Sequence, residues 1–350
     1  MKNLLADKIY CMTGADALVV TQDDFRFYLT NFESSFGVVV VDAECAKFYT
    51  DNRYLEAAKN FCADGFEVLE YPRGTSLSQL LKGYKSIALS LLKTPAADYI
   101  SLKEAGYEIT DSTSAFERCM AVKAEYELKN IRAACAAADS AFCELLPCIK
   151  EGMSENDVAA LLEYLMRRHG ASGTSFATIC AFGANSSVPH HETGNAKLKF
   201  GDIVLIDFGC KVGGYCSDCT RTFLFGDDKK HGEFKTAYDR VLEAHMLVKR
   251  QLRAGMTGRQ GDAVARDLLA KYGLDKYFTH SLGHGIGVNI HEYPTLSPKG
   301  EGVLENGMVF SDEPGVYFEG EFGIRIEDTV TLKDGKVISL TDSDKSLIIL

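Results

Sequence analysis

The sequence has no run of about 20 consecutive apolar residues, the length a helix needs to cross a bilayer, so a membrane-spanning helix is excluded. It has no basic excess either: 38 Lys and Arg stand against 49 Asp and Glu, for a formal net charge of −11. Phosphate backbones are bound by basic surfaces, so no nucleic-acid partner is expected. The first residues, Met1 to Lys8, lack the apolar core of a secretory leader. The 11 cysteines are an odd count. Without a leader they read as reduced thiols in a cytoplasm. Cys216 and Cys219 form one C-x-x-C, with no second pair to complete a four-cysteine zinc site. They flank Asp218 on an expected strand, not a helix N-terminus where a thiol would be activated.

What is present suffices for two domains. The 350 residues are 46% hydrophobic and 25% charged, ordinary for two packed cores. Residues 1–118 read as a small α/β domain. Phe25 to Phe32 is aromatic and predicted as a strand. Phe36–Val41 and Ala46–Thr50 are predicted strands joined by a hairpin at Asp42 to Cys45. Asn52 to Phe61 reads as a helix started by Asp51, and Ser86 to Leu92 is a further short apolar run. No acid/base or metal cluster falls in this part. The boundary is placed near Cys119, giving a second domain of residues 119–350. It opens with a long helix in which Leu128, Ile131, Cys135, Ala138, Phe142 and Leu145 keep three- and four-residue spacing.

The second domain repeats itself. Gly152-Met153-Ser154 precedes a helical pattern that ends at Gly170, and Gly255-Met256-Thr257 precedes another that ends at Gly273. His191-Glu192 is echoed by His291-Glu292. The buried-strand text Gly201 to Asp207 is echoed by Gly307 to Glu313, which aligns Asp207 with Glu313. Asp218, eleven residues after Asp207, is echoed by Glu327, fourteen after Glu313. Taken alone, Asp207 and Asp218 also fit a capping Asp and a turn Asp on an ordinary hairpin. Two halves packed about a pseudo-twofold axis would instead bring four carboxylates to one seam. At an effective dielectric of about 20, neighbouring charges 4 Å apart repel by roughly 4 kcal/mol per pair, so such a seam asks for protons or cations. Two divalent cations supply four positive charges. Carboxylates with at most one imidazole suit Mn²⁺, with Zn²⁺ or Co²⁺ as alternatives. Three of the eight histidines, His280, His284 and His291, fall within twelve residues. Their Gly283-His284-Gly285-Ile286-Gly287 core does not fit the G-x-G-x-x-G spacing of a nucleotide loop.

The ordered set Asp207, Asp218, His284, Glu313 and Glu327 resembles the five metal ligands of the pita-bread dinuclear metallopeptidases, which include aminopeptidase P, prolidase and methionine aminopeptidase. The resemblance runs from about Lys123 to Leu350. Further residues resemble the proline-specific branch. His190, seventeen residues before Asp207, matches a substrate-side histidine, and this offset favours it over the adjacent His191. His280 and His291 match two active-site histidines, and Tyr317 and Arg325 a pair beside the metals. The resemblance implies an α+β protein: a C-terminal pita-bread domain with internal duplication, and a smaller creatinase-type N-terminal α/β domain. It also implies two divalent ions, a homodimer, and hydrolysis by a metal-bridging hydroxide, with Glu313, His190, His280 and His291 as catalytic residues. The expected activity is X-Pro aminopeptidase, acting on peptides with proline second. Prolidase, taking only the X-Pro dipeptide, shares every residue named. A non-catalytic peptide-binding module is the third reading, set against an intact ligand set.

Overall fold

Residues 2–226 and 231–350 are described by a computed structural model, in which the chain divides into two units, Met1–Met120 and Ala121–Leu350. In the first unit, α1 (Leu4–Cys11), β1 (Ala17–Val20) and α2 (Asp23–Thr30) lead into β2 (Val38–Asp42) and β3 (Ala46–Thr50). Then come α3 (Leu55–Phe61), β4 (Glu67–Glu70), α4 (Leu77–Leu80), β5 (Ser86–Leu89), α5 (Ala96–Glu104), β6 (Glu108–Asp111) and α6 (Thr113–Ala121). The strands form one mixed sheet in the order β4-β3-β2-β1-β5-β6. The β2–β3 hairpin lies where the sequence places it. Four consecutive valines of β2 are buried, as expected of a strand covered on both faces.

Phe25 to Phe32, predicted as a strand, is largely the helix α2. Asp23 and Asp24 favour its first turn, and Asn31 in the left-handed conformation ends it. Phe25, Tyr28 and Leu29 keep helical spacing and are buried. Packing overrides the strand preference of aromatic residues here: Phe25 stacks on Phe116 with ring centroids 4.1 Å apart. Helix α3 starts at Leu55, and Asp51 closes the turn before it by accepting the Arg53 N–H at 2.9 Å.

The second unit opens with α7 (Glu125–Leu145) and α8 (Glu155–Arg168), then β7 (Gly173–Thr174), β8 (Ile179–Phe182), β9 (Asp202–Phe208), β10 (Cys210–Val212), β11 (Tyr215–Cys216) and β12 (Cys219–Phe225). Its later part holds α9 (Gly232–Gln251), α10 (Gly258–Lys271), β13 (Gly283–Gly285), β14 (Glu292–Leu296), β15 (Val309–Asp312), β16 (Gly315–Phe318), β17 (Phe322–Arg325), β18 (Asp328–Lys333) and β19 (Lys336–Ser339). The repeat read from the sequence is physical. Ser154 and Thr257 each cap a following helix, α8 and α10, through a capping box. The Gly152 N–H donates to the Leu198 carbonyl at 2.9 Å, and the Gly255 N–H to the Leu304 carbonyl at 2.8 Å. The strand orders β12-β9-β8 and β18-β15-β13 also correspond. Each half has its own apolar core. In the first, Phe142 of α7 stacks on Phe208 of β9 at 5.3 Å between centroids. In the second, α9 and α10 contribute Tyr238, Val241, Leu268 and Leu269 against Phe310 and Ile324. Cys216 and Cys219 are both fully buried and unbridged, and burial pushes the Cys216 thiol up to about 11. That is the opposite of an activated redox thiol.

Candidate metal centre

Two antiparallel pairings set the carboxylates. Along β9 and β12, Asp207 is paired with Thr220, which places Asp218 just beyond the end of the ladder. Along β15 and β18, Asp312 is paired with Asp328, so Glu313 and Glu327 leave that ladder side by side. The halves are then sewn together by two threonines in equivalent positions. Thr220 donates its hydroxyl to Glu327 Oε2 at 2.6 Å. Thr329 accepts the Asp218 N–H at 3.0 Å and donates to the Asp218 carbonyl at 2.7 Å. Asp207, Asp218, His284, Glu313 and Glu327 all line one cavity of about 740 Å³, together with His190, His280, His291 and Arg325.

Within this group the polar atoms facing each other are acceptors. His284 uses Nδ1 on the Gly285 carbonyl at 3.2 Å, which leaves the Nε2 lone pair pointing inward. That Nε2 lies 3.4 Å from Glu313 Oε1 and 3.5 Å from Asp218 Oδ2. Ligand atoms of Asp218, His284 and Glu327 fall within 4.8 Å of one another. Asp207 Oδ2 is held by Arg325, whereas its Oδ1 is buried with no hydrogen-bond partner. Ligands about 2.0–2.2 Å from a cation stand roughly 3–3.5 Å apart at tetrahedral to octahedral angles. Acceptors at these separations, with one carboxylate oxygen left unpaired, fit divalent cations.

The titration behaviour agrees with the geometry. Burial, followed by repulsion from Glu327, Asp207 and Glu313, holds the Asp218 carboxyl well above its usual range. Burial and then the Glu313 and Asp207 charges do the same to Glu327. Glu313 is pushed up to about 7, chiefly by burial. Such groups ionise readily only when a cation compensates them.

Arg325 and Tyr317 stand beside this group, linked to His280. Arg325 donates to Thr220 Oγ1 at 2.9 Å, to Tyr317 Oη at 2.6 Å and to Asp207 Oδ2 at 2.6 Å. Tyr317 pairs with His280 Nε2 at 2.9 Å, while His280 Nδ1 meets the Ser281 carbonyl at 2.8 Å. A carbonyl only accepts, so His280 carries its proton on Nδ1 and accepts from Tyr317 at Nε2. Burial, then the Arg325 charge, depress its pKa to about 3. His291 packs against His284 with ring centroids 4.3 Å apart. His190 lies exposed on the cavity wall, and its neighbour His191 turns to Glu155, with Nε2 2.9 Å from Oε2.

The sequence reading missed the groups that hold these histidines. The His280 loop is gripped by Arg266, which donates to the carbonyls of Phe278 and His280 and pairs bidentately with Asp262. The His291 loop is tied by Glu292, which pairs with Lys123 at 2.9 Å and accepts the Asn289 N–H at 2.9 Å. Lys123 is 169 residues from Glu292, and the Arg266–Asp262 pair, four residues apart on a helix, reads in sequence like an ordinary surface pair. The threonines did leave a signal, since Asp218-Cys219-Thr220 and Glu327-Asp328-Thr329 share a spacing across the repeat. Two glycines let the strands close on the centre. A Cβ on Gly209 would lie 2.0 Å from the Ser217 carbonyl oxygen, and one on Gly283 would lie 2.0 Å from that of Ser311.

Comparison with known proteins places similar sequences on both units. Residues 129–334 match the model of metallopeptidase family M24, and residues 6–122 match that of the creatinase/prolidase N-terminal domain. An uncharacterised peptidase of Bacillus subtilis is 36% identical, covering 98% of each chain. Among solved structures, Xaa-Pro dipeptidase from Bacillus anthracis is 35% identical with a TM-score of 0.93, covering 99% of each chain. X-Pro aminopeptidase from Thermotoga maritima is 33% identical with a TM-score of 0.90, covering 98% of this chain and 100% of the other.

Proposed function

Because this chain belongs to metallopeptidase family M24, we propose that it is an X-Pro aminopeptidase whose metal ligands are Asp207, Asp218, His284, Glu313 and Glu327. The observation that carries this reading is the inward-facing set of acceptors, with His284 Nε2 3.4 Å from Glu313 Oε1 and Asp207 Oδ1 left unpaired. The reading takes Mn²⁺ as the metal and a homodimer as the assembly. Divalent cations bound there would supply Lewis acidity and lower the pKa of a water to near neutrality.

The residues divide the remaining work. Glu313 Oε1 accepts the Ser311 hydroxyl at 2.9 Å. Its Oε2 takes a proton from the attacking water and delivers it to the proline nitrogen as the C–N bond breaks. That nitrogen has no hydrogen of its own in an X-Pro bond, so it leaves as an amine only when protonated. His190 and His291 donate to the substrate carbonyl oxygen as it gains negative charge. His280 stays neutral and fixes the Tyr317 hydroxyl. Arg325 orients Asp207 from behind, with Tyr317 locked against it.

Aminopeptidase is favoured over dipeptidase by the cavity wall. A dipeptidase has to hold the carboxylate of its substrate's proline. Among the described residues lining the cavity there is no lysine, and the one arginine, Arg325, is already committed to Thr220, Tyr317 and Asp207. The dipeptidase reading draws its support from the similarity to the Bacillus anthracis Xaa-Pro dipeptidase. Hydrolysis of Ala-Pro-Ala and Ala-Pro with added Mn²⁺ separates the two. Release of alanine from the tripeptide is expected. Cleavage of the dipeptide alone reassigns the chain as a dipeptidase, and inactivity on both removes the proline specificity.

A further inference from the structure

We propose that Glu155, the first residue of α8, is a positioning residue that sets His190 on the cavity wall, an inference that rests on the peptidase reading above. Glu155 is 0% exposed. Its Oε1 accepts the Phe182 N–H at 3.0 Å and the Asn185 side-chain amide at 2.8 Å. Its Oε2 accepts the Gly194 N–H at 2.9 Å and meets His191 Nε2 at 2.9 Å. An ionised carboxylate has about four lone-pair sites, and here all are used. Burial acts to raise this carboxyl, but hydrogen bonds from Asn185, His191, Phe182 and Gly194 outweigh it and hold the group below its usual range.

The four donors come from both ends and the middle of residues 182–194. After the short 3₁₀ turn Gly183–Ser187, this segment has no strand partner. His190 stands inside it, so its position is only as fixed as the segment. The opposite side of the segment is tied to the β16–β17 hairpin. The Gly320 and Gly323 N–H groups donate to the Ser187 and Ser186 hydroxyls at 3.2 and 3.0 Å, and Arg325 reaches the Pro189 carbonyl at 3.4 Å. Glu155 is the buried charge that closes the other side. The adjacent histidines thus have separate tasks: His191 anchors the segment, and His190 faces the substrate.

The internal repeat shows that the fold does not require this carboxylate. Glu155 follows the capping residue Ser154, and the corresponding residue after Thr257 is Gly258, which has no side chain. The first half carries the device, and the first half carries His190.

Glu155→Gln keeps the size but replaces two acceptor sites with two N–H donors, which then face donors in a buried place. The test is a double-mutant cycle on Ala-Pro-Ala hydrolysis with Mn²⁺, using the native protein, Glu155→Gln, His190→Ala and the double variant. Glu155→Gln is expected to lower kcat by on the order of tenfold, with bound manganese unchanged. In the His190→Ala background the same change is expected to cost less than about twofold, because the two act as one unit. Equal losses in both backgrounds, or native kcat in Glu155→Gln, overturn the proposal. His191→Gln, which keeps an N–H donor, is expected to retain more activity than His191→Phe; the reverse order also counts against it. Hydrogen exchange of residues 182–194 supplies a readout independent of substrate. Faster exchange in Glu155→Gln is expected, and unchanged exchange overturns the proposal. If the native protein leaves Ala-Pro-Ala intact, the substrate reading fails, while the exchange result still decides the role of Glu155.

Discussion

Gly283→Ala adds a single methyl group beside the centre, and the structure sets its consequence. The new Cβ would lie 2.0 Å from the Ser311 carbonyl oxygen and 2.9 Å from the Ser311 hydroxyl oxygen. A carbon and an oxygen in contact stand about 3.3 Å apart, so β13 and β15 have to part by roughly 1 Å. The atom in the way is backbone and cannot swing aside. His284, the next residue, donates its N–H to the same Ser311 hydroxyl at 3.0 Å, so it moves with the strand. Its Nε2, 3.4 Å from Glu313 Oε1, would then leave a site whose ligand distances tolerate only about 0.2 Å. The expected loss is at least tenfold in Mn²⁺ affinity by titration calorimetry. In kcat/KM on Ala-Pro-Ala the expected loss is about a hundredfold. Gly173→Ala is the matched control, since a Cβ there meets nothing within 4 Å and its backbone is not left-handed. Native Mn²⁺ affinity in a folded Gly283→Ala protein would refute the reasoning.

In the chelated protein the ligand carboxyls should contribute more stability in mild acid than in mild base. Glu313 is raised from 4.5 to about 7 by burial, so the native state binds more protons than the unfolded chain between those values. This contribution is therefore fully present below this window and is lost as pH rises through it, by on the order of 3 kcal/mol for Glu313 alone. Asp218 and Glu327 act in the same direction. His280, His284 and His291, lowered by burial, act in the opposite sense. Urea unfolding in EDTA therefore compares the native protein with Glu313→Gln. The native protein should change more in favour of pH 5 over pH 8 than the variant does, and an equal change in both contradicts it. A third prediction lies behind the ligands. Arg221 is 1% exposed and donates to Asp328 Oδ1 at 2.9 Å and to the carbonyls of Thr220, Glu327, Ser343 and Asp344. Arg221→Met leaves these acceptors without it and should cost about 3–5 kcal/mol. By calorimetry that is a Tm lower by roughly 6–20 °C; a fall of under about 3 °C speaks against it.

The parts of the site legible in the sequence are those where burial and chemistry conflict. Asp207 follows an unbroken apolar run, and Glu313 repeats it at the same offset from a glycine, so a carboxylate at the end of a buried strand stands out twice. The repeat then put Asp218 beside Asp207 and Glu327 beside Glu313, and the two ladders place them so. Helix α2 was not legible because the four aromatics among the eight residues from Phe25 to Phe32 carry strand propensity whichever way they pack. Nor were Glu155, Arg266 and Lys123. Glu155 and His191 are 36 residues apart and Lys123 and Glu292 169 apart, and Arg266 reaches past the end of its helix to carbonyls 12 and 14 residues on. A charged residue looks the same in sequence whether it faces solvent or closes a buried clamp.

Five side chains are proposed to hold two cations together, and the metal content of the protein decides it. The protein and its Asp218→Ala variant are equilibrated with Mn²⁺, freed of unbound metal and analysed by plasma mass spectrometry. The native chain is expected to keep two manganese ions and the variant to lose its metal. Two ions retained by Asp218→Ala, or none by the native chain, would contradict the account.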